Sequence, residues 1–588
     1  MTGSLRTLIN AKMNTAKRAD TLEATLTYQP QALKFGTSGR RGEVIHLTQL
    51  EVYLNALAEL EYLQSLPLDE GGITQGEEFF FAYDLRPSSS SYVAEQQHRG
   101  ELAQAIVQAI NDTGMKPVNL GQIPTPALAL HGFTHAKGSI MVTGSHIPFG
   151  RNGYKTNTSK GELLKQHEWP INENVKKVRQ RLYAQPFAES LFDEEGRFKA
   201  GHSDLPAVNG AAADAYISRY LDFFGGEVLA GFRLVVYQHS AVGRDILVEI
   251  LRRLGADVFP IGRSDTFVPI DTENMDEPLL ASIQQLHDAS AVQCVSIDAV
   301  LSTDGDSDRP MILGVNAGQV QFFGGDLVGM ITAELLGADA VVVPISCNDA
   351  IDLGALKDVT APKTKIGSPF VIAGMKTAIA HGKQAVCGFE ANGGFLTATH
   401  LTRNGNTLTP LPTRDAILPI LAVLLAAKEK GVSVCQLFER LPKRYSKAAL
   451  LKSFPAERGR KIVSHYSSSD ARVAELRVNP SGIESFDKQG FHLSAPESGI
   501  PSAKPILQEL STYFPPAMGF GKIVRINYLD GLRIVFDNGD IIHIRPSGNA
   551  DELRVYAVAN TQERAGQMIQ LAVAEPEGIV RRMEKRIG

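Results

Sequence analysis

The chain has 588 residues, more than one hydrophobic core can organise, so about three to five domains are expected. Hydrophobic residues make up 43% and charged residues 21%, the balance of a globular protein rather than a disordered or membrane one. A net charge of -5 leaves no broad basic face for a nucleic acid backbone, which removes that class of partner.

The opening MTGSLRTLINAKMNTAKRAD holds no continuous apolar core of signal-peptide length, and the most apolar later stretch, AILPILAVLLAA, is too short to cross a bilayer. Cys294, Cys347, Cys387 and Cys435 stand far apart with no C-x-x-C pair, which argues against a zinc cluster and a disulfide framework. A cytoplasmic protein without a membrane partner is expected.

In chain order, KFGTSGRRG (34–42) comes first: two hydroxyls, Thr37 and Ser38, and two arginines, Arg40 and Arg41, stand among glycines in a pattern suited to an oxyanion or to an ordinary turn. The strand EFFFAY then leads through DLRPSSSS to a helix. QAINDTGMKPVNLG (108–121), EILRRLGADVFPIG (249–262) and TAIAHGKQAVCG (377–388) share one cadence, a helix that stops at glycine followed by a short apolar strand. In the second copy Val242, Ile246, Leu247, Ile250, Leu251 and Leu254 share a helical face, and FRLVVYQ precedes it as a strand. The order strand, loop, helix, strand implies α/β domains with mostly parallel sheets and ligand loops at the carboxyl ends of the strands.

Between these units lie the loops that can carry chemistry. VTGSHIPFGRNGYK (142–155) presents Ser145, His146 and Lys155, a set that says little by itself. STDGDSDRP (302–310) puts Asp304, Asp306 and Asp308 at alternate positions, so three carboxylates can converge on one cation. An EF-hand would need glycine and glutamate where Arg309 and Val315 stand, so the choice is between a Mg²⁺-type site, with Arg309 beside it for a phosphate, and a solvated acidic turn. CGFEANGGF (387–395) offers Glu390 and Asn392 to sugar hydroxyls.

Residues 455–500, rich in Ser, Gly, Glu and Arg, read as a variable connection. Beyond them GLRIVFDNGDIIHIRPSG carries a D-N-G hairpin signal and runs through LRVYAVA into a helical pattern, which predicts a smaller α+β domain. Within it IRPSGNADELRVY (544–556) can shape an anion pocket from Arg545, Ser547, the backbone of Gly548 and Asn549, and Arg554, or can be a plain turn.

Taken together and in this order, the five loops resemble those of the α-D-phosphohexomutase superfamily. FGTSGRRG is similar to its opening F-G-T-x-G-x-R-G, TGSHIP to its phosphoserine loop T-A-S-H-N-P and DGDSDRP to its metal loop D-G-D-G-D-R. GFEANGG is similar to its sugar loop G-E-x-S-G, and RPSGNADELR to its phosphate loop R-P-S-G-T-E-P-x-x-R.

The resemblance implies three related α/β domains with mixed, mostly parallel sheets and a smaller C-terminal α+β domain around a central cleft. Expected boundaries are 1–205, 206–317, 318–445 and 446–588, the last including the connection. It implies that Ser145 is modified to phosphoserine and ligates Mg²⁺ together with Asp304, Asp306 and Asp308. Lys155 and His146 would handle protons or orientation, and Arg41 and Arg309 would lie near the reacting phosphate. Thr37, Ser38, Glu390, Asn392, Arg545, Ser547, Gly548, Asn549 and Arg554 would bind the phosphosugar.

The implied reaction interconverts hexose 6-phosphate and hexose 1-phosphate through a hexose 1,6-bisphosphate that also serves as activator. The expected activity is that of a phosphomannomutase, acting as a monomer or dimer, with phosphoglucomutase as the near alternative. A non-catalytic phosphosugar-binding protein and a Mg²⁺-dependent phosphatase are the readings from other classes. The first is motivated by Ser368 and Pro369, which stand where the family often has histidine and lysine. Ile147 in place of an asparagine and Asn392 in place of a serine are further departures, as is NAD in place of T-E-P in the phosphate loop.

Overall fold

The computed structural model describes residues 20–587 except 37–38, 274, 292–295, 453, 489, 494–502 and 547–551. Thr37, Ser38, Ser547, Gly548 and Asn549, with Cys294, lie outside the described residues. Four large sheets follow one another along the chain.

The first places Arg151–Thr158, Ser139–Val142, Glu78–Tyr83 and Lys116–Asn119 side by side. The second runs Asp257–Arg263, Arg233–His239, Ala299–Thr303, Pro310–Asn316, Gln319–Phe322, and the third Ala340–Val342, Val386–Phe389, Phe395–Thr397, Leu411–Asp415. One strand occupies the same place in each: Ser139–Val142, Ala299–Thr303 and Val386–Phe389 pair parallel on one side and antiparallel on the other. The sheets are therefore mixed, parallel where helices cross over and antiparallel where hairpins return. All three strands are buried along their whole length and end at a polar loop.

The repeated cadence is a physical repeat. The helices Leu102–Asp112, Arg244–Arg253 and Ser368–Ala380 are followed by Gly114, Gly255 and Gly382 with φ of +72°, +93° and +85°, the left-handed stop that lets the next strand turn back. AILPILAVLLAA lies in the helix Ile417–Lys430, whose first eleven residues are all buried. An all-round apolar helix of that kind belongs inside a large core. Among the described residues no helix is long and apolar enough to cross a membrane.

The fourth sheet is antiparallel throughout and carries the expected hairpin, with Leu532 opposite Ile544 and Ile534 opposite Ile542. Here the reading of 455–500 is corrected. The segment contains the helix Ala456–His465 and the strands Glu475–Asn479 and Gly482–Phe486, which extend this sheet by pairing Glu475–Arg477 with Arg525–Asn527. Leu476 is fully inside, whereas Arg477 and Gly482 are exposed, so these outer strands show little apolar alternation.

The helix Ala211–Phe224 ties the units together. Tyr216 donates a 2.6 Å hydrogen bond to Asp415 at the end of the third sheet, and Tyr220 donates to its other oxygen.

Candidate active site

The equivalent strands of the first three sheets deliver their carboxyl-end loops to one region. Ser145, after Ser139–Val142, is buried, and its Oγ donates a 2.6 Å hydrogen bond to Asp304 Oδ2, just after Ala299–Thr303. Asp304, Asp306 and Asp308 are all buried, with one ligand oxygen of each within 4.8 Å of the others. The alternate spacing does converge. Loop backbone helps: the N–H groups of Asp308 and Arg309 donate to Asp304 Oδ1 at 3.1 and 3.2 Å.

Three carboxylates in so dry a place need positive charge. Lys155 supplies some, its Nζ lying 2.6 Å from Asp306 Oδ2 and 2.7 Å from Asp308 Oδ2. Arg414 supplies more: Nε and Nη2 donate to Asp308 Oδ2 at 3.1 and 2.9 Å, while Nη1 donates to Glu390 Oε2 at 3.2 Å. Burial opposes ionisation of Asp308, yet Arg414, Lys155 and Arg309 together hold it well below the usual carboxylate range. Asp304 fares otherwise: burial, then the charges of Asp306 and Asp308, push its carboxyl well above that range.

The donor set fits a hard divalent cation. Asp306 Oδ1 and Asp308 Oδ1 are buried and accept no hydrogen bond, and the third member, Asp304, is short of positive charge. Oxygen donors alone suit Mg²⁺ rather than a thiophilic metal. This trio can hold a metal.

Around it stand cations with unspent donors. Arg41 Nε, Arg309 Nε and Arg554 Nε are buried without hydrogen-bond partners. Burial lowers Arg41 to about 10. His146, whose Nδ1 is 3.4 Å from Ser145 Oγ, is pushed well below its ordinary pKa by burial and then by Arg309, Arg41 and Arg554, so its ring is neutral. Such a cluster of arginines beside a carboxylate trio suits an anionic ligand that lies between the arginines and a cation held by the trio.

The remaining expected residues fall less directly on this point. Asn392 uses its Oδ1 to accept from the Gly394 N–H at 3.0 Å and its carbonyl to accept from Thr272 Oγ1 at 2.9 Å, so it shapes the Glu390 loop. Arg545 Nε donates to Asp530 Oδ1 at 3.0 Å within the fourth sheet, and Arg554 Nη1 lies 3.8 Å from Glu273 Oε2 of the second unit. Ser368 opens the helix Ser368–Ala380 and donates to Glu162 Oε2 at 2.7 Å, with Pro369 next in the helix's first turn.

The sequence reading passed over Arg414, Asp84, Arg86, Thr125 and Glu162. Thr125 donates to Asp306 Oδ2 at 2.6 Å, and Glu162 accepts from Thr413 at 2.6 Å as well as from Ser368. A signal existed for two pairs: Asp84 and Arg86 follow the strand EFFFAY, and Arg414 with Asp415 stands just before a helix whose first eleven residues are apolar. Charged residues in such positions are seldom solvated.

Residues 32–182 match the family model described as phosphoglucomutase/phosphomannomutase, alpha/beta/alpha domain I, residues 324–445 match domain III, and residues 504–575 match the C-terminal domain. The chain is 35% identical over 543 residues to a phosphomannomutase of Sinorhizobium fredii, covering 92% of this chain and 98% of that one. It is 34% identical over 550 residues to a phosphomannomutase of Salmonella muenchen, covering 92% and 95%. The crystal structure of a phosphoglucomutase/phosphomannomutase family protein from Burkholderia thailandensis shares the fold, with a TM-score of 0.58 at 16% identity over 95% of this chain and 98% of that one. With end-to-end relatives above 30% identity and three of the family's domains recurring in order, the chain belongs to the phosphoglucomutase/phosphomannomutase family.

Proposed function

We propose that the protein is a phosphohexomutase that interconverts mannose 6-phosphate and mannose 1-phosphate through a phosphoserine at Ser145. The observation that carries this is the 2.6 Å contact of Ser145 Oγ with Asp304, inside a carboxylate trio with two unpartnered oxygens. The choice of mannose follows the two relatives named phosphomannomutase, whose alignments span nearly their whole length.

In the first half-reaction the sugar hydroxyl oxygen bonds to phosphorus while the bond from phosphorus to Ser145 Oγ breaks. The hydroxyl proton leaves for a base in the cleft and Oγ regains one. The bound hexose 1,6-bisphosphate then presents its other phosphate, and the same exchange in reverse reloads Ser145. His146, kept neutral beside Oγ, and Lys155, a donor held between Asp306 and Asp308, are assigned to this proton traffic. Mg²⁺ held by Asp304, Asp306, Asp308 and the seryl oxygen would offset negative charge on the transferring group.

Arg41 and Arg309 are assigned to the oxygens of that group: Arg41 Nε is buried without a hydrogen-bond partner, and Arg309 stands beside the trio with its Nε 3.6 Å from Asp308 Oδ1. Arg545 and Arg554 are assigned to the non-reacting phosphate together with Ser547, Gly548 and Asn549, and Thr37 and Ser38 to binding of the phosphosugar. Glu390, aligned by Arg414, is assigned to the sugar hydroxyls with Asn392 shaping its loop. Domain limits near 205 and 445 fit the four sheets, whereas the second sheet runs on through Gln319–Phe322, so its limit falls after residue 322 rather than at 317.

The test is turnover of purified protein with Mg²⁺, a trace of hexose 1,6-bisphosphate and either mannose or glucose 1-phosphate. Formation of the 6-phosphate, faster from mannose, is expected. Release of inorganic phosphate instead would make the protein a phosphatase, and binding without turnover would reject catalysis.

A further inference from the structure

Ser145 has a backbone φ of +56°, a left-handed conformation that a non-glycine residue keeps only where its surroundings over-determine it. Much of that constraint comes from one guanidinium. Arg86 donates through Nη2 to the carbonyls of Ser145 (2.8 Å) and Ile147, and through Nη1 to those of Pro148 (2.9 Å) and Arg151 (2.8 Å). Four carbonyls at one bend of the chain are thus gathered by a single buried side chain. Asp84 fixes it, with Oδ2 3.4 Å from Arg86 Nε. The same carboxylate accepts from Thr143 Oγ1 at 2.7 Å, and that hydroxyl receives the Ser145 N–H at 2.7 Å. Gly144 makes the approach possible, since a Cβ there would stand 2.6 Å from Arg86 Cζ.

The guanidinium also lies 3.8 Å from the centroid of the Phe267 ring. Phe267 is buried and belongs to the loop after Asp257–Arg263, in the second unit rather than the first. The same ring packs on Gly305: a Cβ at Gly305 would come within 3.2 Å of two Phe267 ring atoms and 2.6 Å of the Ser145 carbonyl oxygen. Phe267 therefore touches both the group that shapes the serine loop and the backbone between Asp304 and Asp306.

The geometry points to Arg86 as a positioning residue that sets the Ser145 hydroxyl, and to Phe267 as the contact that registers this setting against the aspartate loop. Neither is assigned a contact with substrate. The consequence for turnover rests on the function proposed above; the order imposed on the loop does not. Lysine cannot replace Arg86, because an ammonium has three donors and no plane to lie on a ring. Leucine at 267 keeps apolar volume without the face that attracts the cation, and tyrosine keeps the face.

The experiment uses full-length Arg86→Lys, Phe267→Leu and Phe267→Tyr, each shown by thermal unfolding to be folded at the assay temperature. Amide hydrogen exchange over residues 143–153 is expected to speed up at least about tenfold in Arg86→Lys and Phe267→Leu and to stay near wild type in Phe267→Tyr, with the helix Ile417–Lys430 unchanged. Unchanged exchange in Arg86→Lys overturns the positioning role, and unchanged exchange in Phe267→Leu overturns the coupling. In turnover, kcat is expected to fall at least about tenfold in both with KM for mannose 1-phosphate within about threefold. A raised KM with kcat intact would contradict positioning. Should Arg86→Lys not fold, Phe267→Leu decides alone: it removes the face on which the guanidinium lies, so unchanged exchange in it then overturns both roles. If wild type does not isomerise, the functional proposal fails while the exchange data still decide this one.

Discussion

Ser145 Oγ donates a 2.6 Å hydrogen bond to Asp304 Oδ2, joining residues 159 positions apart at the ends of strands that hold the same place in two different sheets. A serine hydroxyl and a carboxylate trio meet because one α/β unit recurs and each copy sends its carboxyl-end loop to the same side. The cleft is a product of repetition, and its charges determine what should happen when it is perturbed.

Removing divalent metal with EDTA should abolish isomerisation, and Mg²⁺ should restore it. Asp306→Asn should weaken Mg²⁺ binding by at least about tenfold in calorimetry, because it removes one of three hard anionic donors. Equal affinity in this variant would exclude Asp306 as a ligand.

Arg414→Met should destabilise the fold by about 3 kcal/mol, since it leaves Asp308 and Glu390 without the guanidinium that bridges them in a buried place. Urea unfolding measures this, and saturating Mg²⁺ should recover part of the loss. A variant as stable as wild type without metal would mean that Arg414 does not offset these charges.

His239 and His543 are buried, with Nε2 on the carbonyls of Thr303 (2.9 Å) and Asp530 (2.6 Å) and Nδ1 without a partner. Burial lowers both to about 4. Their folded pKa lies below the unfolded value, so the stability they contribute is complete above about pH 6.5 and declines as pH falls toward 4. Between pH 7 and 5 the loss should be on the order of 1–2 kcal/mol for each. Denaturant unfolding at both pH values, compared with His543→Gln, isolates one contribution; an undiminished pH slope in that variant would remove His543 as its source.

Arg545→Ala should raise KM for mannose 1-phosphate about tenfold with kcat changed by less than about threefold, the pattern of a lost ground-state contact. Its Nε already spans to Asp530, so an anion must compete with that carboxylate. An unaltered KM would assign Arg545 to the fold of its own sheet.

The repeated helix–glycine–strand units, the C-terminal hairpin and the convergence of three aspartates were legible in the sequence because each rests on local spacing. The lattice of cations was not. Arg414 reaches Asp308 and Glu390 across 106 and 24 positions, and Arg86 reaches Ser145 across 59, separations that no periodicity encodes. The strands Glu475–Asn479 and Gly482–Phe486 were missed because outer strands with charged, partly exposed residues lack the apolar alternation that marks inner ones. Asn392 was read as a sugar contact, and the structure adds a local role in its loop that composition alone does not reveal.

Peptide mass mapping after incubation with hexose 1,6-bisphosphate and Mg²⁺ tests directly whether Ser145 carries the phosphoryl group. One phosphate on residues 142–155, absent in Ser145→Ala and discharged by mannose 6-phosphate, is the expected result, with isomerisation in that variant reduced at least about 10⁴-fold. Full isomerisation by Ser145→Ala, or a phosphate mapped to another residue, would contradict it.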